Sequence, residues 1–136
     1  MSADPMDAVP VSEKIELTAE TVGEVVDRAV FKDGGLMPAI IQQWDSKEVL
    51  MLGYMDAEAL RRTLTEGRVT FWSRSRSEYW RKGDTSGNAQ FVRGAALDCD
   101  ADTLLVTVDQ IGPACHTGAH ACFDVDPLSP HVGHAS

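Results

Sequence analysis

The sequence predicts an α+β fold in a single domain, built mostly of antiparallel β-sheet with flanking helices. Two segments place apolar residues at helical spacing behind a capping residue. Five apolar runs are bounded by turn formers, and 136 residues leave little room beyond one core. A content of 43% hydrophobic and 24% charged residues is usual for a globular chain and excludes a disordered one.

Residues 1–12 are mixed and polar with two prolines and read as a flexible arm, ahead of a domain expected over 13–125. Thr18 is a plausible N-cap for a helix carrying Thr21, Val22, Val25, Val26 and Ala29, with Gly34-Gly35 expected to end it. Leu36 to Trp44 and Val49 to Met55 flank Asp45-Ser46-Lys47-Glu48 and predict a hairpin of two buried strands. Asp56 can cap a second helix through Ala59, Leu60 and Leu64, stopped at Gly67. Val69 to Trp72, Ala89 to Leu97 and Thr103 to Ile111 predict three more strands. The segment 126–136, with Pro127 and Pro130, reads as a flexible tail.

No apolar run approaches the ~20 residues that span a bilayer. The opening Met1-Ser2-Ala3-Asp4-Pro5 has neither the basic cluster nor the apolar core of a secretory signal, so a cytoplasmic protein with reduced thiols is expected. Three cysteines are an odd number and suit metal binding or catalysis better than a disulfide framework.

A formal net charge of −9 argues against a long polyanionic partner, and neither nucleic acid nor membrane is expected as one. The charge is uneven. Arg61, Arg62, Arg68, Arg74, Arg76, Arg81, Lys82 and Arg93 share their window with only Glu66, Glu78 and Asp84, a local +5. Such an island suits a small anionic ligand, although clusters of this kind are commonly solvated faces.

Cys99 and Cys115 are separated by fifteen residues and Cys115 and Cys122 by six, unlike the CxxC pairs of a zinc ribbon. Three thiolates on one Zn²⁺ would leave a tetrahedral position open, the pattern of a catalytic site. The plain alternative is three small buried hydrophobes. His116 could be a fourth ligand, a general acid or base, or a turn residue. His120 has no evident partner, and His131 and His134 fall in the tail.

In a straight strand Asp98, Asp100 and Asp102 would share one face with Cys99 opposite, and the outer two would stand about 13 Å apart. Carboxylates so far apart cannot bind one ion with Mg–O distances of about 2.1 Å, so a shared metal requires the chain to bend. An exposed acidic strand end is the alternative. Ser73-Arg74-Ser75-Arg76-Ser77 and Trp80-Arg81-Lys82-Gly83-Asp84-Thr85-Ser86-Gly87-Asn88 form a basic hairpin tip. Its arginine forks, hydroxyls and glycines suit phosphate, and Trp80 offers a surface for a purine. It is neither a GxxxxGK[ST] loop nor a GxGxxG turn.

Together these segments, with Ala89-Gln90 and Gly112-Pro113-Ala114-Cys115-His116-Thr117-Gly118, resemble the phosphoribosyl-AMP cyclohydrolases of histidine biosynthesis from about Gly34 to Phe123. Pro38-Ala39-Ile40-Ile41 and Leu50-Met51-Leu52-Gly53-Tyr54-Met55 are similar to that family's opening strands. The resemblance implies hydrolysis of the N1–C6 bond of N1-(5-phosphoribosyl)-AMP to the phosphoribosyl-formimino-AICAR ribotide. It implies an intertwined homodimer with one Zn²⁺ per subunit held by Cys99, Cys115 and Cys122, Cys99 coming from the partner subunit. It also implies Mg²⁺ on Asp98, Asp100 and Asp102, and His116 as the catalytic histidine. Substrate contacts are expected from Ser73, Arg74, Ser75, Arg76, Trp80, Arg81, Lys82, Thr85, Ser86, Gly87 and Gln90.

Asp56, Tyr79 and Ala121 stand where the family usually has Asn, Leu and Ser. About a dozen residues follow Cys122, so no pyrophosphohydrolase domain is expected on the chain and a monofunctional enzyme is predicted.

A zinc nucleoside deaminase fails on motif, because no His-x-Glu occurs and Cys115 has no cysteine three residues on. A non-catalytic zinc-dependent nucleotide-binding module and a purely structural zinc protein are the remaining alternatives.

Overall fold

The computed structural model describes residues 17–115 and 117–130. The arm read over 1–12, His116, His131 and His134 lie outside them. Thr18 caps α1 (Ala19–Arg28). Its Oγ1 accepts from the Thr21 N–H at 3.2 Å, and Thr21 Oγ1 accepts from the Thr18 N–H at 2.6 Å. The reciprocal pair satisfies donors that a helix start leaves unpaired. Val22 and Val25 face the core. The helix ends at Ala29, earlier than Gly34-Gly35, because the Val30 N–H is drawn off to the Ala101 carbonyl at 2.7 Å. The glycine pair, at φ 62° and 83°, instead turns the chain into the first strand.

β1 (Met37–Gln43) and β2 (Val49–Met55) form the predicted hairpin. Ile41 pairs with Met51 but Gln42 with Val49, so Leu50 is a bulge residue, and Leu50 and Met51 are both buried. Asp56 Oδ1 accepts from the Ala59 N–H at 2.8 Å to start α2 (Ala57–Glu66), and Gly67 ends it in the left-handed region at φ 73°. The buried Thr63 hydroxyl donates to the Thr70 carbonyl at 3.2 Å and accepts from the Thr70 N–H at 3.0 Å. That pair of bonds fixes where β3 (Thr70–Ser73) leaves the helix. β4 (Glu78–Arg81) pairs with β3 in a separate two-stranded ribbon; it lies inside the segment read as a basic loop. β5 (Gln90–Leu97) and β6 (Leu104–Gln110) match the two later predicted strands.

The main sheet has the order β2-β1-β6-β5. Its pairs are antiparallel except β1 with β6, so the α+β, mostly antiparallel prediction holds with one parallel pairing added. Met37, Ala39, Ile41, Leu104, Val106 and Val108 turn from this sheet into the core, where α1, α2 and the ribbon cover them. Phe71 of β3 lies against Gly53 of β2, and a Cβ on Gly53 would stand 2.5 Å from its ring. A side chain there would push the ribbon off the sheet. On the opposite face Leu52, Ile40, Leu105 and Ala96 line up in one row across all four strands. Leu52 and Leu105 there remain 43% and 36% exposed. No helix among the described residues is long and apolar enough to cross a membrane.

Candidate metal centres and active site

The acidic segment is a turn, not a straight strand. Asp98 to Thr103 join β5 to β6, with the Asp98 N–H donating to the Thr103 carbonyl and the Ala101 N–H to the Asp98 carbonyl, both at 3.0 Å. Asp98 Oδ1 accepts from the N–H groups of Asp102 and Thr103 at 3.0 and 3.2 Å, and Ala101 takes φ 61°. The bend brings one carboxylate oxygen each from Asp98, Asp100 and Asp102 within 4.8 Å of one another. That is close to the about 4.2 Å separating opposite oxygens around an octahedral Mg²⁺. Three carboxylates so near repel, and the donor set is one a hard cation fits. Lys32 relieves part of the repulsion from 3.0 Å, and its bond holds the Asp102 carboxyl below its ordinary range. Sharing a hydrogen bond with Asp102 pushes Asp100 up.

The second centre lies beyond the other end of β6. Its loop is closed by the Ala114 N–H to the His120 carbonyl at 2.9 Å, Cys115 N–H to Ala119 at 3.2 Å, and Gly118 N–H to Cys115 at 2.9 Å. A short 3₁₀ turn, Cys122–Asp124, follows. The Thr117 hydroxyl donates to Cys115 Sγ at 3.1 Å. That bond is the main reason the buried Cys115 thiol is pushed down; Cys122 and Lys82 add to it. Burial pushes the Cys122 thiol up, helped by Cys115, as expected of two sulfurs that compete for one proton.

Cys99 sits on the acidic turn, exposed. The length of β6 alone sets it about 20 Å from the other two cysteines in the same chain. Among the described residues, no Cys, His, Asp or Glu completes a group of three with Cys115 and Cys122.

The cationic residues divide between the two ends of the ribbon. At the β3–β4 turn, Arg74 stacks on Tyr54 at 4.3 Å and Arg76 pairs with Glu78 at 3.5 Å. The Ser73 and Ser75 hydroxyls lie there too, 3.4 Å apart. At the other end, Arg81 Nε donates to both oxygens of Asp84 at 2.8 and 3.0 Å, with Glu66 at 3.4 Å. Arg76 and Arg81 thus lie at opposite ends of β4, a strand of four residues spanning about 10 Å. Arg81 also lines a cavity of about 230 Å³ with Arg62, Glu66, Thr70, Tyr79 and Asp84. Thr85, Ser86 and Gly87 are exposed on the following loop, and Trp80 keeps one side on Phe71, ring centres 5.4 Å apart. Lys82 and Gln90 turn inward. Lys82 is 6% exposed and donates to the Ala114 carbonyl at 2.5 Å. Gln90 is fully buried, donating to Gln110 Oε1 at 3.0 Å, and its own Oε1 has no partner among the described residues.

Two contacts were not legible in the sequence. His120 does have a partner: its Nε2 lies 2.8 Å from Glu48 Oε1, 72 positions away. Asp56 and Tyr79, two of the family departures, are partners of each other. The Tyr79 hydroxyl donates to Asp56 Oδ2 at 2.7 Å, and Arg62 lies 4.2 Å over the phenol ring. Burial and this bond push the Tyr79 phenol up to about 12. The carboxylate of Asp56 is therefore committed to the fold, one oxygen to the helix cap and one to Tyr79. Two departures falling together were the available signal.

Known proteins show the same identity over most of the chain. Residues 51–124 match the phosphoribosyl-AMP cyclohydrolase family. A phosphoribosyl-AMP cyclohydrolase from Leifsonia xyli subsp. xyli is 72% identical over 110 residues, covering 81% of this chain and 88% of that protein. Those of Clavibacter sepedonicus and Streptomyces avermitilis are 71% and 67% identical, covering 82% and 77% of this chain and 81% and 79% of their own. With the family match spanning more than half of its length, the chain belongs to the phosphoribosyl-AMP cyclohydrolase family, hydrolases that act on a cyclic amidine.

Proposed function

We propose that the chain opens the purine six-membered ring of N1-(5-phosphoribosyl)-AMP in histidine biosynthesis, as a cytoplasmic homodimer using Zn²⁺ and Mg²⁺. One observation carries the metal reading. Among the described residues Cys115 and Cys122 lie together without a third ligand, while Cys99 is displayed at the far end of β6, so a three-thiolate set would take its third sulfur from a second copy. The apolar row Leu52, Ile40, Leu105 and Ala96 gives that copy a face to cover. The Leifsonia relative, 88% matched within 110 residues, has no length for a second catalytic domain, which supports a monofunctional enzyme here as well.

When bound by three thiolates, zinc supplies a Lewis acid with one open position and lowers the pKa of water there. The chain supplies the rest. Substitution at N1 makes the substrate's amidine cationic and C6 electrophilic. The oxygen of water adds at C6, the C6–N1 electron pair goes to N1, and His116 moves the proton that N1 acquires. The product keeps the oxygen as a carboxamide. The substrate's two phosphates match the two cation groups of the ribbon, Ser73 to Arg76 at one end and Arg81 to Gly87 at the other. Lys82 and Gln90 support that loop from inside.

The test is ultraviolet detection of ring opening before and after chelation. Turnover abolished by chelation and restored by zinc is expected. Zinc-loaded protein without turnover would return the reading to a nucleotide-binding module.

The magnesium assignment has its own test, because Asp98 both builds the turn and offers a ligand. Asp98→Asn keeps the oxygen that accepts from Asp102 and Thr103 but loses the charge. It should melt like the parent and need about tenfold more magnesium for half-maximal turnover. Asp98→Ala loses both and should also lose about 1 kcal/mol of stability in denaturant melts. An unshifted magnesium requirement in the Asn variant would remove Asp98 from the ligand set.

A further inference from the structure

Lys82 is a buried cation that the phosphate-binding reading does not explain. An ammonium taken out of water needs a compensating charge, yet among the described residues no carboxylate pairs with it. Its Nζ donates to the Ala114 carbonyl at 2.5 Å, and the Trp80 ring covers it from 5.3 Å. The carbonyl it binds belongs to the residue before Cys115, so the ammonium stands beside the cysteine loop. The contact spans 32 positions and joins the end of β4 to the peptide immediately before Cys115.

We propose that Lys82 is the positioning and charge-balancing residue of the thiolate site. It holds the Ala114–Cys115 peptide by its carbonyl and so brings one positive charge to the thiolate site. The inference rests on the reading of Cys99, Cys115 and Cys122 as zinc ligands. A divalent cation with three thiolates carries a net −1, and Lys82 brings the buried cluster to neutrality. A neutral cluster holds thiolate donors in a medium where a bare anion would favour protonation and metal loss. Arg81, one residue earlier, cannot serve, because its exposed guanidinium points to Asp84 and Glu66 and not to the cysteine loop.

Lys82→Gln keeps a donor for the Ala114 carbonyl and removes the charge, whereas Lys82→Arg keeps the charge on a different head group. Zinc release from the intact protein to a chromogenic chelator is the readout. Release from the Gln variant should be about 10–100-fold faster than from the parent, with the Arg variant between them. In cobalt-loaded protein the sulfur-to-metal charge-transfer band should move to lower energy in the Gln variant, a shift that a purely structural tie would not produce. A folded Gln variant with parental zinc release and an unmoved band would overturn the proposal. If the Gln variant does not fold, the Arg variant decides: retained zinc supports the proposal, and zinc lost from a folded Arg variant refutes it. Parent protein that binds no zinc would instead overturn the underlying reading of the cysteines.

Discussion

Cys99→Ser and Cys115→Ser proteins, each inactive alone, are expected to regain about one quarter of parental turnover when their chains are mixed and allowed to re-associate. The expectation follows from where β6 places the cysteines. Cys99 and the Cys115–Cys122 pair stand at opposite ends of that strand, about 20 Å apart. A site with all three must take Cys99 from a second chain. In a mixed dimer one site then collects both lesions and the other collects none. Random re-association makes half of the dimers mixed, and each carries one intact site of two. Zinc content should follow the same fraction. Had each chain built its own site, every site in the mixture would contain a lesion, and neither turnover nor zinc would return. Cys99 is exposed and Ser is close to isosteric, so the Cys99→Ser chain should fold as the parent does. A mixture that contains mixed dimers and stays inactive would end the shared-site reading.

Local chemistry made much of the fold legible. Thr18, Asp56 and Gly67 announce helix ends by side-chain or backbone properties that act within four residues, and all three do so in the structure. The Gly34-Gly35 stop failed for a tertiary reason, since the Ala101 carbonyl captures Val30 first. β4 was hidden by its length. Four residues, Glu78 to Arg81, are too few for a period to show, and three of them are exposed. The parallel pairing of β1 with β6 leaves no mark in either strand, because each reads as a buried run whatever lies beside it.

The site divides along the same line. Asp98, Asp100 and Asp102 were visible as a spacing, but a straight strand kept their carboxylates too far apart. The bend depends on Ala101 at φ 61°, a position where the sequence carries neither Gly nor Asn to announce it. Lys82 was invisible for the opposite reason. In a run of Arg81 and Lys82 nothing local says which cation turns inward, and the partner that decides it, Ala114, lies 32 positions on. Side chains that point into a site are therefore legible here as residue types, while their burial is set by contacts distant in sequence.

Replacing His116 should separate catalysis from metal binding. His116→Gln is expected to lower turnover about 10²–10⁴-fold, the usual contribution of a positioned acid or base, while zinc content and dimerisation stay parental. His116 lies outside the described residues, but the loop around it is held by other groups. The backbone bonds from Ala114, Cys115 and Gly118 close it, and the Thr117 hydroxyl holds Cys115 Sγ. None of these depends on an imidazole, so the variant should keep its metal. The parental pH–rate profile should carry a limb that is absent from the variant. Rate lost towards acid along that limb would mean that the imidazole accepts a proton from the attacking water, and rate lost towards alkali that the imidazolium donates to N1. If zinc leaves together with activity, His116 is instead the fourth ligand of the proposed zinc site.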